Sequence, residues 1–289
     1  EGCSNTCAYC IIPKLRGRYR SREMASLLEE ARALSDAGVK ELIVIAQDIT
    51  CYGMDWDGKP HLADLLEELC KLDFHWIRLH YLYPEWIDDR LIDVIAREDK
   101  ILKYLDIPLQ HCNDKILKKM NRRGDKKYLC ALLDKLRERI PGLVLRTSII
   151  AGLPGEGEEE FDELCDFLRE QKLLRAGVFP YSPEEGTRAA KMERVDSDEA
   201  ARRAERIVDI QSEIIDAWND ERQGDVMEVL CEGFDGQSML FVGRSYAESP
   251  DIDGRIYFSA PRDVAAGEFV PVRITGAMDG ELTGELAEE

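Results

Sequence analysis

Cys3, Cys7 and Cys10 fall within eight residues, in the string GCSNTCAYC, with three residues between the first pair and two between the second. Gly2 and Pro13 bracket them, so the stretch reads as loop rather than regular helix. Thiolates carried on one compact loop can converge on a single soft metal centre, and iron–sulfur clusters are held in this way. A cubane cluster has four irons, so three ligands would leave one iron free for something other than protein. Two other readings stand beside this one. Structural zinc takes four protein ligands, but the next Cys or His after Cys10 is Cys51, which belongs to no paired CxxC. The thiols could also be three unrelated buried residues.

A basic run follows, with Lys14, Arg16, Arg18, Arg20 and Arg22 in a chain whose formal net charge is -19. The alternation from 16 to 22 reads as an extended, solvated segment with one charged face. It could also pair with acidic groups, steady an anionic cluster or meet substrate. Of the other cysteines, Cys51, Cys70, Cys112, Cys130, Cys165 and Cys231 are scattered singly. Cys70, Cys130 and Cys165 sit in amphipathic stretches and read as small core hydrophobes.

The elements that must carry this loop are legible. ELIVIAQD (41–48), WIRLHYLYP (76–84), KYLDIPLQH (103–111), VLRTSIIAGLPG (144–155) and AGVFPYSP (176–183) read as strands. Several are apolar at consecutive positions, as parallel strands covered on both faces are. Between them MASLLEEARALSDAG, HLADLLEELCKL, EWIDDRLIDVIARE, KKYLCALLDKLRERI and EEEFDELCDFLREQKLL repeat apolar residues at helical spacing. Gly38 and the Pro141–Gly142 pair mark two helix ends. One further strand is expected just before Gly2. Six strand–helix units are fewer than a closed eight-unit barrel needs, so the expected fold is α/β, a partial (β/α)6 TIM-like barrel. A long helix over 197–224 leads out of it. From Asp225, VMEVLCEGF, MLFVGRSY, GRIYFSA and FVPVRITGA alternate with turns and predict a small all-β barrel of five strands. The domains are expected to be 1–221 and 222–289.

At 289 residues, with 44% hydrophobic and 34% charged residues, the composition is that of a soluble globular protein. The longest apolar runs, such as LIVIA at 42–46, are too short to cross a bilayer, and no secretory leader is visible. An odd number of cysteines, nine, spread along a large chain suits a reducing cytoplasm better than a disulfide scaffold. The acidity argues against broad nucleic-acid binding and suits either a basic partner or plain solubility.

The C-x3-C-x2-C spacing with Tyr9 ahead of the third cysteine resembles the radical S-adenosylmethionine superfamily. Within it, EGCSNTCAYCIIPKLRGRYRSR, AQDITCYG, YLDIPLQH, MNRRG, GLPGE and YSPEEGT resemble the methylthiotransferases, and AQDITCYG with YSPEEGT resemble the RimO type. The terminal module, with VGRSYAESPDIDG, resembles a TRAM domain. The resemblance implies that Cys3, Cys7 and Cys10 ligate a 4Fe-4S cluster whose fourth iron binds S-adenosylmethionine. An electron from the cluster then cleaves the cofactor to methionine and a 5′-deoxyadenosyl radical. It further implies that Tyr9, Gln47 and Asp48 contact the cofactor, the latter two at its methionine part. Gln110, Arg146, Gly152 and Gly155 would meet its ribose, carboxylate or adenine, although Gln110 and Arg146 suit an ordinary polar network equally well. His111 is expected to be a structurally hydrogen-bonded strand-end residue.

The implied reaction adds a methylthio group to the β-carbon of an aspartate of ribosomal protein uS12. A flavodoxin or ferredoxin would donate electrons to a monomeric cytoplasmic enzyme. Family members begin with a further domain carrying three cysteines and an auxiliary 4Fe-4S cluster. That domain has no counterpart in this sequence, so cluster binding and cofactor cleavage are expected of this chain, but not complete methylthiolation. From Arg222 onward fourteen acidic residues face five arginines, a formal net charge of −9. Such a module is expected to dock the basic protein uS12 rather than RNA. Two alternatives remain: a tRNA adenosine methylthiotransferase, and a non-catalytic protein whose cysteines hold zinc.

Overall fold

The structure, a computed structural model, describes residues 1–287 and divides into two compact units, Glu1–Ile210 and a second beginning at Gln211. In the first unit, β1 (Glu41–Val44), β2 (Trp76–Leu79), β3 (Ile101–Asp106), β4 (Val144–Ala151) and β5 (Arg175–Pro180) form one open parallel sheet in sequential order. Every residue of β2 is buried, which is why WIRL reads as a continuous run rather than an alternation.

The intervening helices are α1 (Met24–Asp36), α2 (Leu62–Leu69), α3 (Asp89–Arg97), α4 (Asp114–Lys119), α5 (Lys126–Arg139) and α6 (Glu158–Gln171). Three of them, α3, α4 and α5, start at short polar side chains that cap them. The Asp88 carboxylate accepts from Leu91 N at 2.8 Å, Asn113 Oδ1 from Lys115 N and Ile116 N, and the Asp125 carboxylate from Tyr128 N at 2.7 Å. Leu91, Ile92, Val94 and Ile95 make the buried stripe of α3, and Leu129, Leu132, Leu133 and Leu136 that of α5. α1 closes through Gly38, which has a φ of 84° and donates to Ser35 O. A long helix, α7, spans Ser197–Glu221.

In the second unit β6 (Val226–Asp235), β7 (Leu240–Arg244), β8 (Ile256–Ser259), β9 (Phe269–Met278) and β10 (Glu281–Leu286) close into a barrel in the order β10-β8-β7-β6-β9. Val270, Val272 and Ile274 of β9 point inward while Pro271 and Arg273 alternate outward. The interior is filled by Val229, Ile256, Phe258, Val272 and their apolar neighbours.

The expected fold class holds: an α/β unit with a partial, open parallel sheet, then a small closed β-barrel. Two details differ. All five strands end before the strings that suggested them; after the first three the backbone turns where Asp48 caps a 3-10 turn (Ile49–Cys51), and where Tyr81 and Gln110 adopt φ of 60° and 73°. The fifth strand of the small barrel is Glu281–Leu286, whose short ELTGEL string has no apolar run to announce it. Glu1 and Gly2 form no strand, and the sheet of the first unit has five strands among the described residues. Among the described residues no helix is long and apolar enough to cross a membrane.

Candidate functional site

The cysteine loop has no regular structure of its own, so the neighbouring backbone must hold it. Cys3 N donates to Gly17 O at 3.1 Å, and Ala8 N to Met120 O at 2.8 Å; Ala8 O accepts from Ala189 N at 2.9 Å. Ala8 is buried among Ile116, Met120, Leu153 and Ala189, which fixes the middle of the loop against α4 and the turn after it. Asn121, in the left-handed region at φ 55°, donates through Nδ2 to Thr6 O and Thr6 Oγ1 at 3.0 and 2.6 Å. At Gly2 the φ is +79°, and a Cβ would run into the carbonyl of Arg18, so this glycine is required sterically.

All three thiols are free and open onto one cavity of about 540 Å³. Burial pushes the Cys3 and Cys10 thiols up; for Cys3 the negative charges of Asp48, Cys7 and Cys10 add to this, and for Cys10 that of Cys7. That mutual effect reflects three sulfurs grouped in one partly desolvated space. Among the described residues no three Cys, His, Asp or Glu side chains already form a closed ligand set. Cys7 Sγ lies 2.9 Å from Tyr83 Oη. Tyr9 also lines the cavity, and its hydroxyl is held in the protonated form by burial, with further contributions from Cys7 and Cys10.

The rest of the wall comes from the strand ends. Gln47, Tyr81, Gln110 and Ser148 line it, and Gln47 Oε1 is a buried acceptor with no partner among the described residues. Gln110 is fixed by its backbone, with N donating to Ser148 O at 2.8 Å and O accepting from Ile150 N at 3.0 Å. A free thiol set, an open volume and an orphaned amide oxygen fit a soft-metal cluster with an organic ligand beside it. A second cavity of about 300 Å³, lined in part by Leu27, Leu34, Leu42 and Leu65, has no thiol in its wall.

Tyr9, Gln47 and Gln110 thus share the cavity with the three cysteines. Asp48, Arg146, Gly152 and Gly155 do not line it. The Asp48 carboxylate, 1% exposed, accepts from Thr50 N at 3.0 Å, Thr50 Oγ1, Cys51 Sγ at 3.1 Å and Asn5 Nδ2 at 3.2 Å. Its lone pairs are spent on the 3-10 turn and on Asn5 of the cysteine loop. Arg146 donates to Asp106 Oδ1 at 2.9 Å, while Asp106 Oδ2 lies 3.3 Å from His80 Nδ1, an ionic group inside the sheet unit. A Cβ at Gly152 would strike Ala200 of α7, and one at Gly155 the Lys119 side chain; both have positive φ. Gly152 N donates to Glu156 Oε1, which also accepts from Arg203 Nη1, each at 2.9 Å. His111, 1% exposed, accepts from Asn113 N and lies 3.2 Å from Glu156 Oε2, a structural placement as expected.

Two further residues, Arg122 and Tyr83, line the cavity wall; Tyr83 falls near the end of the second strand string, where a ligand-lined rim is expected, whereas nothing in the sequence singled out Arg122. Arg122 is 8% exposed, stacks its guanidinium 4.1 Å from the centre of the Tyr83 ring and donates to Pro108 O at 2.6 Å. The string MNRRG carries a family resemblance but marks neither arginine for a role.

Residues 1–168 match the Radical SAM superfamily model and residues 224–287 the TRAM domain model. The chain is 48% identical over 292 residues to the ribosomal protein uS12 methylthiotransferase RimO of Symbiobacterium thermophilum, covering 100% of this chain and 60% of that protein. It is 48% identical over 289 residues to the enzyme of the same name from Pelotomaculum thermopropionicum, covering 99% and 65%. The chain therefore spans less than two thirds of the length of these curated relatives. Among solved structures it resembles TsrM of Kitasatospora setae, a radical S-adenosylmethionine methyltransferase determined with cobalamin and a [4Fe-4S] cluster, with TM-score 0.55 and 20% identity over 65% of this chain and 37% of that one. It also resembles methylornithine synthase PylB, with TM-score 0.52 and 15% identity over 73% and 59%. At such identities the likeness concerns the fold.

Proposed function

The chain belongs to the radical SAM superfamily, and from that premise we propose that it is the cofactor-cleaving and substrate-docking part of a RimO-type methylthiotransferase acting on an aspartate of ribosomal protein uS12. The observation that carries this reading is the meeting of three free thiols and an orphaned amide oxygen on one cavity. Cys3, Cys7 and Cys10 would hold a 4Fe-4S cluster, with one iron left to S-adenosylmethionine. When bound, that pair supplies a carbon radical able to abstract hydrogen from the weakly acidic β-carbon of an aspartate.

The protein's own residues bind, orient and shield. Gln47 and Gln110 offer amides to the polar parts of the cofactor, and Tyr9 covers the cluster side. Asp48 acts from behind, tying Asn5 of the cysteine loop to the turn after Gln47. Arg146 belongs to the buried set with Asp106 and His80 and sets the stiffness of the floor. Gly152 and Gly155 shape the turn that follows β4.

We take 1–221 as the cofactor domain and 222–289 as the docking domain. The acidic character of the latter, formally −9, supports a protein substrate rather than RNA. The same reading has a flavodoxin or ferredoxin as electron donor and a monomer in the cytoplasm, and the RimO family it draws on carries an auxiliary 4Fe-4S cluster as well.

The test is product analysis. Anaerobically reconstituted protein, given dithionite and S-adenosylmethionine, is expected to release methionine and 5′-deoxyadenosine, and Cys7→Ser to release neither. Unchanged S-adenosylmethionine with a fully loaded cluster would refute cofactor cleavage. For the docking domain, uS12 should co-sediment with the protein at low salt and be released as salt rises; tight binding of naked tRNA and none of uS12 would favour the tRNA-modifying alternative.

A further inference from the structure

Arg122 is an unusual residue to find beside a cluster loop. It is 92% buried, taken from its 8% exposure, yet it faces no carboxylate within ion-pair distance among the described residues. One guanidinium nitrogen, Nη2, donates to Pro108 O at 2.6 Å, whereas Nη1 is buried and makes no hydrogen bond. Arg122, like Cys7, lines both the thiol cavity and a smaller polar cavity of about 210 Å³ that Asn5, Glu85 and Arg123 share. Its guanidinium is stacked 4.1 Å from the Tyr83 ring centre, and Tyr83 Oη is 2.9 Å from Cys7 Sγ. When Cys7 is a thiolate, the phenol can only donate in that contact.

We infer that Arg122 and Tyr83 are positioning residues that set the reduction potential of the cluster held by Cys7 and its two partners, Arg122 through its buried charge and Tyr83 through a hydrogen bond to the ligating sulfur. This rests on the cluster reading above. The physics is direct. Reduction by one electron, delivered by a low-potential donor such as dithionite, adds one negative charge to a partly desolvated site and moves no proton. A fixed cation nearby favours the reduced state, and so does an O–H donor to the sulfur, because net charge and hydrogen bonds to sulfur are the levers on such potentials. The low local dielectric makes each lever stronger than it would be in water. Burying an unpaired guanidinium is costly in the cluster-free protein, and the anionic cluster supplies the missing counter-charge. Glu85, in the same small cavity, opposes the effect only in part, since burial pushes its carboxyl up toward the neutral form.

The experiment is an EPR-monitored redox titration of the reconstituted full chain without S-adenosylmethionine, after iron and sulfide analysis of each protein. In Arg122→Gln, which keeps a donor for the Pro108 carbonyl, the ratio of reduced to oxidised cluster at fixed potential is expected to fall about tenfold, or about 59 mV for a one-electron couple. Arg122→Lys should retain most of the wild-type ratio, and Tyr83→Phe should lower it about threefold. An unchanged or raised ratio in Arg122→Gln at full iron content overturns the role of Arg122. The same result in Tyr83→Phe overturns that of Tyr83, and this variant also decides the case if Arg122→Gln does not fold. Wild-type protein that takes up no iron would instead sink the cluster reading itself.

Discussion

The two units differ in where they bury charge: both have apolar cores, and the second unit also buries Arg244 and Glu248, but outside the apolar cluster that fills the barrel. The small barrel encloses hydrocarbon and sulfur: Val229, Ile256, Phe258 and Val272 are fully buried, with Cys231 beside them. The sheet unit takes charge inside, burying Arg78 against Glu41 at 2.7 Å, Asp106 against Arg146 and His80, and Arg122 against an aromatic ring. Buried ionic groups are weak evidence for stability, and their retention points to something the interior must hold or orient.

Substitutions can sharpen that contrast. Phe258→Ala, which opens a cavity in the small barrel, is expected to cost about 3–5 kcal/mol in the unfolding of that unit while leaving iron content of the reconstituted protein unchanged. Differential scanning calorimetry combined with iron analysis would measure both. Asp106→Leu leaves Arg146 buried without this carboxylate and is expected to cost about 3 kcal/mol in chemical denaturation. If it proved neutral, the buried set would be replaceable packing and the contrast would weaken.

Gly243→Ala brings a Cβ to 2.5 Å from Leu230 O and should cost about 1–3 kcal/mol. The matching change in the other unit, Gly2→Ala, should show itself as lost iron more than as a lowered midpoint, since it shifts Cys3. The smallest effect concerns pH. His61 is raised above the ordinary imidazole range by hydrogen bonds to Asp64 at 2.8 Å and Asp57 at 3.2 Å. A raised folded-state value gives stability that is fully present below the unfolded value and is lost as pH rises through the folded one. Because the pair is near the surface, His61→Gln should remove less than about 1 kcal/mol at pH 5.5 and nothing at pH 9, measured by urea denaturation.

How much was legible follows from the same contrast. Apolar burial repeats along the chain, so α3, α5 and β2 could be read from DRLIDVIAR, the leucines of 129–136 and WIRL. The thiol spacing was equally plain. What could not be read were contacts made across sequence, such as the packing of Gly152 on Ala200 or of Arg122 on Tyr83. Asp48 was singled out for the cofactor, yet its carboxylate turns into its own DIT turn, a local capping habit of Asp before Thr that the string itself could have suggested. For the buried ionic set a signal did exist. Arg78, Asp106 and Arg146 are charges set within or at the end of strand strings, and the parallel register brings Asp106 opposite Arg146.

The most direct test of the account is the EPR spectrum of the reduced, reconstituted protein recorded with and without S-adenosylmethionine. The account predicts about four irons per chain, as a 4Fe-4S cluster requires, and a cluster signal that changes shape when S-adenosylmethionine is added, because an iron is free to bind it. A protein that holds zinc on four side chains, or a cluster signal indifferent to S-adenosylmethionine, would contradict it.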